Sequence, residues 1–238
     1  MKNTPHSYSD GETTMLGRLI WDPANTDPQP GLLVAPAFAG LGALELQRAE
    51  ELATLGYAVL AVDYYGEGRH TSEREVALDW MTELNQNRPR LGRRMNAALE
   101  TLKAQPMVDA NRTGALGFCL GGKAVLDLAR TGADLRAVAP IHGLFDAPPE
   151  VQDYKAAALI LHGWDDPLAT PADVQALTQE LTQHCPDWQL LAFGHTGHSF
   201  TNPNANMPKA GMAFSPVAYA RAWRALTDFL AEQLAPAP

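Results

Sequence analysis

The chain has 238 residues, 46% of them hydrophobic and 19% charged, with a formal net charge of −9, enough to bury a sizeable core in one large α/β domain or two small ones. The acidic balance, with no run of lysines or arginines, argues against a nucleic-acid surface, and no apolar stretch approaches the ~20 residues of a membrane helix. Residues 1–10 lack the apolar core of a secretion signal, and two cysteines make neither a disulfide framework nor a metal site, so the chain reads as cytoplasmic and metal-free.

Residues 6–21 read as a hairpin, with Asp10-Gly11 as the turn. "DPANTDPQP" (22–30) is a proline-rich connector. The continuous apolar run 31–38 predicts a strand covered on both faces, followed by an amphipathic helix over 44–55 that Gly56 stops. A second buried strand is expected over 57–65, then two helices over 72–86 and 90–104 separated by Arg88-Pro89. Short apolar runs at 113–118, 136–141, 157–163 and 188–193 alternate with helical patterns at 121–130, 171–184 and 216–234. Strand and helix in alternation predict a mostly parallel sheet with helices on both faces. No repeat or composition break divides the chain, so one domain over 1–238 is expected.

In such sheets the reactive groups gather at the carboxyl ends of the strands. Gly117-Phe118-Cys119-Leu120-Gly121 fits a strand–turn–helix pattern with a nucleophile at its tip, cysteine standing where serine is more frequent. A buried cysteine is often only a small hydrophobe. Here, however, the sharp turn demands minimal neighbours two residues either side, and it presents the sulfur at a helix N-terminus, where a thiolate is favoured. Cys185, beyond a helix end, has no such setting. A nucleophile of this kind needs a base and an orienting acid, in the chain order nucleophile, acid, histidine. "LHGWDDPLATP" offers Asp165 and Asp166, and "FGHTGHSF" offers His195 and His198, each after an apolar run.

These motifs together, Gly-Phe-Cys-Leu-Gly-Gly (117–122), Gly163-x-x-Asp166 and Gly197-His198-Ser199-Phe200, resemble the dienelactone hydrolase family of α/β-hydrolases. The similarity extends over nearly the whole chain, from the opening hairpin to the closing helix. It implies an α/β-hydrolase fold and a triad in which Cys119 attacks, His198 is base and then acid, and Asp166 orients the imidazole. It also implies an oxyanion hole built from the backbone N–H groups of Leu120 and Phe38.

Two departures from the family matter. The family's glutamate before the oxyanion-hole residue is Ala37 here, so direct pairing of Cys119 with His198 without substrate is expected. The family's substrate-gripping arginine after the histidine motif is replaced by Asn202, which brings no charge; Arg69 and Arg74 are nearby cations that read better as solvated surface. A neutral ester or lactone therefore fits better than an anionic one. Phe38, Tyr65, Trp80, Trp164 and Phe200 are candidate pocket-lining aromatics, with Ala37 and Asn202 beside them. The reading is a cofactor-free ester hydrolase, a monomer or small homo-oligomer, acting on a small molecule. Its rivals are phosphotriester hydrolysis by the same triad, and a redox or ligand-binding sensor on the same scaffold.

Overall fold

The structure is a computed structural model and describes residues 1–236. The apolar run after the proline-rich connector has no polar face to offer solvent, and it becomes strand β3 (Gln29–Ala35), fourth in an eight-stranded sheet. The hairpin β1 (Lys2–Ser9) and β2 (Thr14–Trp21) pairs antiparallel, with the Asp10 carboxylate accepting from the Glu12 and Thr13 amides in its turn. Next to β2, also antiparallel, lies β4 (Ala58–Ala61). From there the sheet is parallel, through β3, β5 (Val108–Phe118), β6 (Ala137–Ile141), β7 (Ala157–Gly163) and β8 (Trp188–Phe193), in the spatial order β1-β2-β4-β3-β5-β6-β7-β8. The chain therefore has the α/β-hydrolase fold that its sequence implied.

Alternation along the strands decides which helix covers which face. Leu33 and Ala35 pack with α3 (Arg88–Lys103), α4 (Leu120–Arg130) and α5 (Pro171–His184); Leu32 and Val34 pack with α1 (Ala43–Thr54) and α6 (Pro216–Gln233). Helix α4 is buried along its whole length, packed against β5 and β6.

Three local differences from the sequence reading have clear causes. The strand expected over 57–65 stops at Ala61, because the buried Asp63 carboxylate takes the amides of Leu16, Tyr65, Gly66 and Gly68 and turns the chain away. Arg88-Pro89 does not precede α3 but forms its first turn, where Asn87 accepts from the Arg90 amide and proline's missing donor costs nothing. Finally, an unforeseen small hairpin, β9 (Asn206–Met207) with β10 (Met212–Ala213), stands between the last sheet strand and α6. Helix α2 (Arg74–Asn85) lies across the carboxyl end of the sheet and contributes Leu84 to the core.

Candidate active site

The site is built from the end of β5. Cys119 has φ +55° and ψ −115°, a conformation that costs an ordinary residue about 1–3 kcal/mol and persists only where its surroundings enforce it. Glycines enforce it here. A Cβ on Gly117 would overlap the Gly121 carbonyl, one on Gly121 would overlap the Ala35 and Pro36 carbonyls, and one on Gly122 would come within 2.7 Å of Gly143 Cα. The turn can close only because all three lack side chains. The Cys119 amide donates to Ile141 O at 3.1 Å, which ties the bend to β6.

Two further loops meet this turn. Asp166 follows β7 and is 3% exposed; its Oδ1 accepts from the Leu168 amide at 2.8 Å and its Oδ2 pairs with His198 Nδ1 at 2.7 Å. The loop carrying His198 is held by its own amide, which donates to Gly211 O at 2.7 Å in the small hairpin. His198 Nε2 is then left buried without a well-formed hydrogen bond, in a cavity that Cys119 shares. Burial disfavours the imidazolium, but the bond to Asp166 and the neighbouring Cys119 sulfur outweigh it and push His198 up to about 10.

The third contributor is the segment after β3. Its carbonyls are pinned by tyrosines: Tyr64 Oη donates to Pro36 O and Ala37 O at 2.8 and 2.9 Å, and Tyr65 Oη to Phe38 O at 2.8 Å. Burial pushes both phenols above their ordinary value, so they stay protonated donors. The Ala37 amide donates to Glu45 and the Gly40 amide to Ala37 O. Among the described residues, the amides of Phe38 and Leu120 donate to nothing.

These elements enclose a cavity of 890 Å³ lined by Ala37, Phe38, Cys119, His198 and Asn202, with Leu78 and Met81 of α2 on one side and Met207 and Met212 of the small hairpin on another. Four of the expected lining aromatics lie elsewhere. Tyr65 turns away to hold the Phe38 carbonyl, with its ring 4.8 Å from that of Tyr64 and 5.5 Å from Trp80. Trp80 follows it to the far side of α2. Phe200 is completely buried between Phe193 and His142, and Trp164 is 45% exposed, its ring 6.4 Å from His162. Of the two nearby arginines, Arg74 does reach the cavity and lies 5.9 Å over the Phe38 ring, while Arg69 does not. Asp165 is exposed and His195 sits away from the cavity. Cys185 donates to Ala156 O and Asp187 O, and neither cysteine is in a disulfide.

The sequence profile of the dienelactone hydrolase family matches residues 16–234. The chain belongs to the dienelactone hydrolase family. Among solved structures it is similar to a protein titled m3DLH (37% identity, 98% of this chain and 99% of that one, TM-score 0.92). It is equally close in shape to a dienelactone hydrolase-like promiscuous phosphotriesterase from metagenomic libraries (35% identity, 98% of each chain, TM-score 0.92). Carboxymethylenebutenolidase of Pseudomonas putida is 27% identical over 93% of this chain and 92% of its own length. The human carboxymethylenebutenolidase homolog is 26% identical over 62% of this chain, a match spanning 60% of that protein.

Two further residues, to which the sequence reading gave no role, stand at the cavity. Glu45, in the first turn of α1, is 7% exposed and bonds back to the Ala37 and Gly42 amides. Its only sequence signal was the Gly42-x-x-Glu45 spacing of a helix cap. His142 follows β6 with φ +39°, accepts or donates at 2.9 Å with Thr201 Oγ1, and packs its ring 5.0 Å from that of His198. Burial, with repulsion from His198, holds it well below the usual histidine value, so it is a neutral neighbour. No helix among the described residues is long and apolar enough to cross a membrane.

Proposed function

We propose that this dienelactone hydrolase-family enzyme hydrolyses small neutral carboxylic esters or lactones through Cys119, His198 and Asp166. The observation that carries this reading is the buried His198 ring, anchored at Nδ1 by Asp166 and left with a free Nε2 beside the Cys119 sulfur. The Cys119 sulfur adds to the ester carbonyl, and the Phe38 and Leu120 amides receive the oxyanion. The tetrahedral adduct expels the alcohol, which takes its proton from His198 Nε2, and an acyl-thioester remains. Water then adds to the thioester while passing a proton to Nε2. Collapse releases the acid and restores sulfur and imidazolium. Asp166 accepts from Nδ1 throughout and so orients the ring with Nε2 inward.

The neutral substrate class is supported by the cavity wall: Leu78, Met81, Met207 and Met212 are apolar, and Asn202 stands where the family carries an arginine. The test is turnover of p-nitrophenyl butyrate by wild type and Cys119→Ala. The substitution is expected to lower kcat by about 10³-fold or more, and acid-quenched wild type is expected to carry the butyryl group on Cys119 by mass spectrometry. Full activity in Cys119→Ala would overturn the mechanism.

A second reading, hydrolysis of phosphotriesters by the same residues, is favoured by the 35% identity to a protein titled a promiscuous phosphotriesterase. Assaying diethyl p-nitrophenyl phosphate beside the butyrate ester decides its weight: comparable kcat/KM values make the ester description too narrow.

A further inference from the structure

The segment 36–40, which presents the Phe38 amide to the cavity, is a loop with no strand or helix of its own to hold it. Each of its anchors is therefore identifiable. Tyr64 and Tyr65 hold three carbonyls, and the Thr71 amide donates to Ala39 O at 3.0 Å. On the donor side there is one side-chain anchor, the Glu45 carboxylate, whose Oε1 accepts from the Ala37 amide at 3.3 Å and whose Oε2 accepts from the Gly42 amide at 3.2 Å. Glu45 is nine-tenths buried, faces the cavity, and spends both oxygens on backbone amides rather than on a cation. Buried carboxylates are costly to keep unless they are well used.

A helix cap alone explains only half of this. A glutamate in the third helical position commonly bonds back to the N-cap amide, here that of Gly42. The bond from Oε1 to Ala37 lies outside the helix, and it fixes the peptide unit immediately before the Phe38 amide. The geometry points to Glu45 as a positioning residue of the oxyanion hole: by bridging the amides of Ala37 and Gly42 it holds the peptide unit before the one that Tyr64 grips at the Ala37 carbonyl, and the two together set the direction of the Phe38 N–H. This rests on the hydrolase reading above in assigning that amide to an oxyanion.

Glu45→Asp separates the two roles. An aspartate at this position still caps a helix, yet it is one methylene shorter and cannot span both amides. Two measurements are made on wild type and variant. The first is hydrogen–deuterium exchange of the peptide covering 36–42, which needs no substrate; exchange is expected to rise at least fivefold in Glu45→Asp while that of α4 stays as in wild type. The second is p-nitrophenyl butyrate turnover against alkylation of Cys119 by iodoacetamide, a displacement that forms no oxyanion. kcat is expected to fall about tenfold, a displaced donor costing less than the ~10²–10³ of a deleted one, with KM and the alkylation rate within twofold of wild type. Unchanged exchange, an unchanged kcat, or a parallel fall in kcat and alkylation would each overturn the assignment. If Glu45→Asp fails to fold, Glu45→Gln, which keeps one acceptor oxygen, is read by the same criteria. Should wild type prove inert toward every acyl ester, the hydrolase reading falls and the exchange experiment still decides whether Glu45 holds the loop.

Discussion

His198 ties chemistry to stability at the level of a single residue. Its imidazole is raised to about 10 in the folded protein, against about 6.5 for an unperturbed histidine. Between those values the folded state binds more protons than the unfolded one. The stabilisation is therefore complete below about pH 6.5 and is lost as pH rises toward 10. Urea unfolding at pH 7 and pH 9.5 should show wild type losing stability over this interval, and His198→Gln should lose clearly less. An identical slope in the two proteins would mean that the Asp166 bond does not hold the proton. The two short motifs, each after an apolar strand, narrowed this pair to Asp165 or Asp166 and His195 or His198, and the family resemblance chose between them. It could not make Tyr65 legible: an aromatic at a strand end serves a pocket or a backbone carbonyl equally well. Which one it serves is settled only by the turn that Asp63 imposes on residues 64–68.

Among the elements, the small hairpin of β9 and β10 has a role out of proportion to its size. Gly211 has φ +69° and its carbonyl receives the His198 amide at 2.7 Å, and an added Cβ there would lie 2.9 Å from Pro167 Cδ. The hairpin thus braces the loops that carry Asp166 and His198 against each other. Gly211→Val combines a left-handed backbone with that clash, a strain of about 1–3 kcal/mol by itself. Because the hairpin's outer residues are exposed and it meets the catalytic loop through the short bridge of Met212 to His198, the damage should stay local: kcat for p-nitrophenyl butyrate falls by about tenfold or more, while Tm drops only a few degrees. A large fall in Tm with normal kcat per folded molecule would refute the bracing role. Two-residue strands leave no periodic trace, which is why the hairpin was invisible in the sequence. By contrast strands β3 to β8 announced themselves through unbroken apolar runs, and α1, α3 and α6 through their periodicity. Glu45 drew no reading from the sequence, since its role as a loop anchor depends on how 36–42 bends back over the helix start.

For the whole molecule, charge shapes what enters. The chain carries −9 overall, and the cavity wall includes Glu45, Glu73 and Asp146 against Lys123 and Arg74. Lys123 is already engaged by Asp146 at 2.7 Å, and that same carboxylate is shared with Arg88. With three acidic side chains against two basic ones, the wall offers an anionic substrate no surplus of positive charge. The expected result is a kcat/KM at least tenfold higher for p-nitrophenyl butyrate than for the p-nitrophenyl monoester of succinate, with the gap narrowing as salt screens the field. A preference for the succinate would show that Lys123 is released from Asp146 or that Arg74 takes the substrate carboxylate on binding.

The glycines around residue 119 carry one last implication. The shape of that bend is dictated by absent side chains at 117, 121 and 122 and by the tie to Ile141, and nothing in it depends on which atom crowns the tip. A hydroxyl could occupy the same point in space with the same neighbours. Cys119→Ser should accordingly melt within about 2 °C of the parent, so that any change in turnover compares oxygen with sulfur as attacking atoms on one unaltered frame.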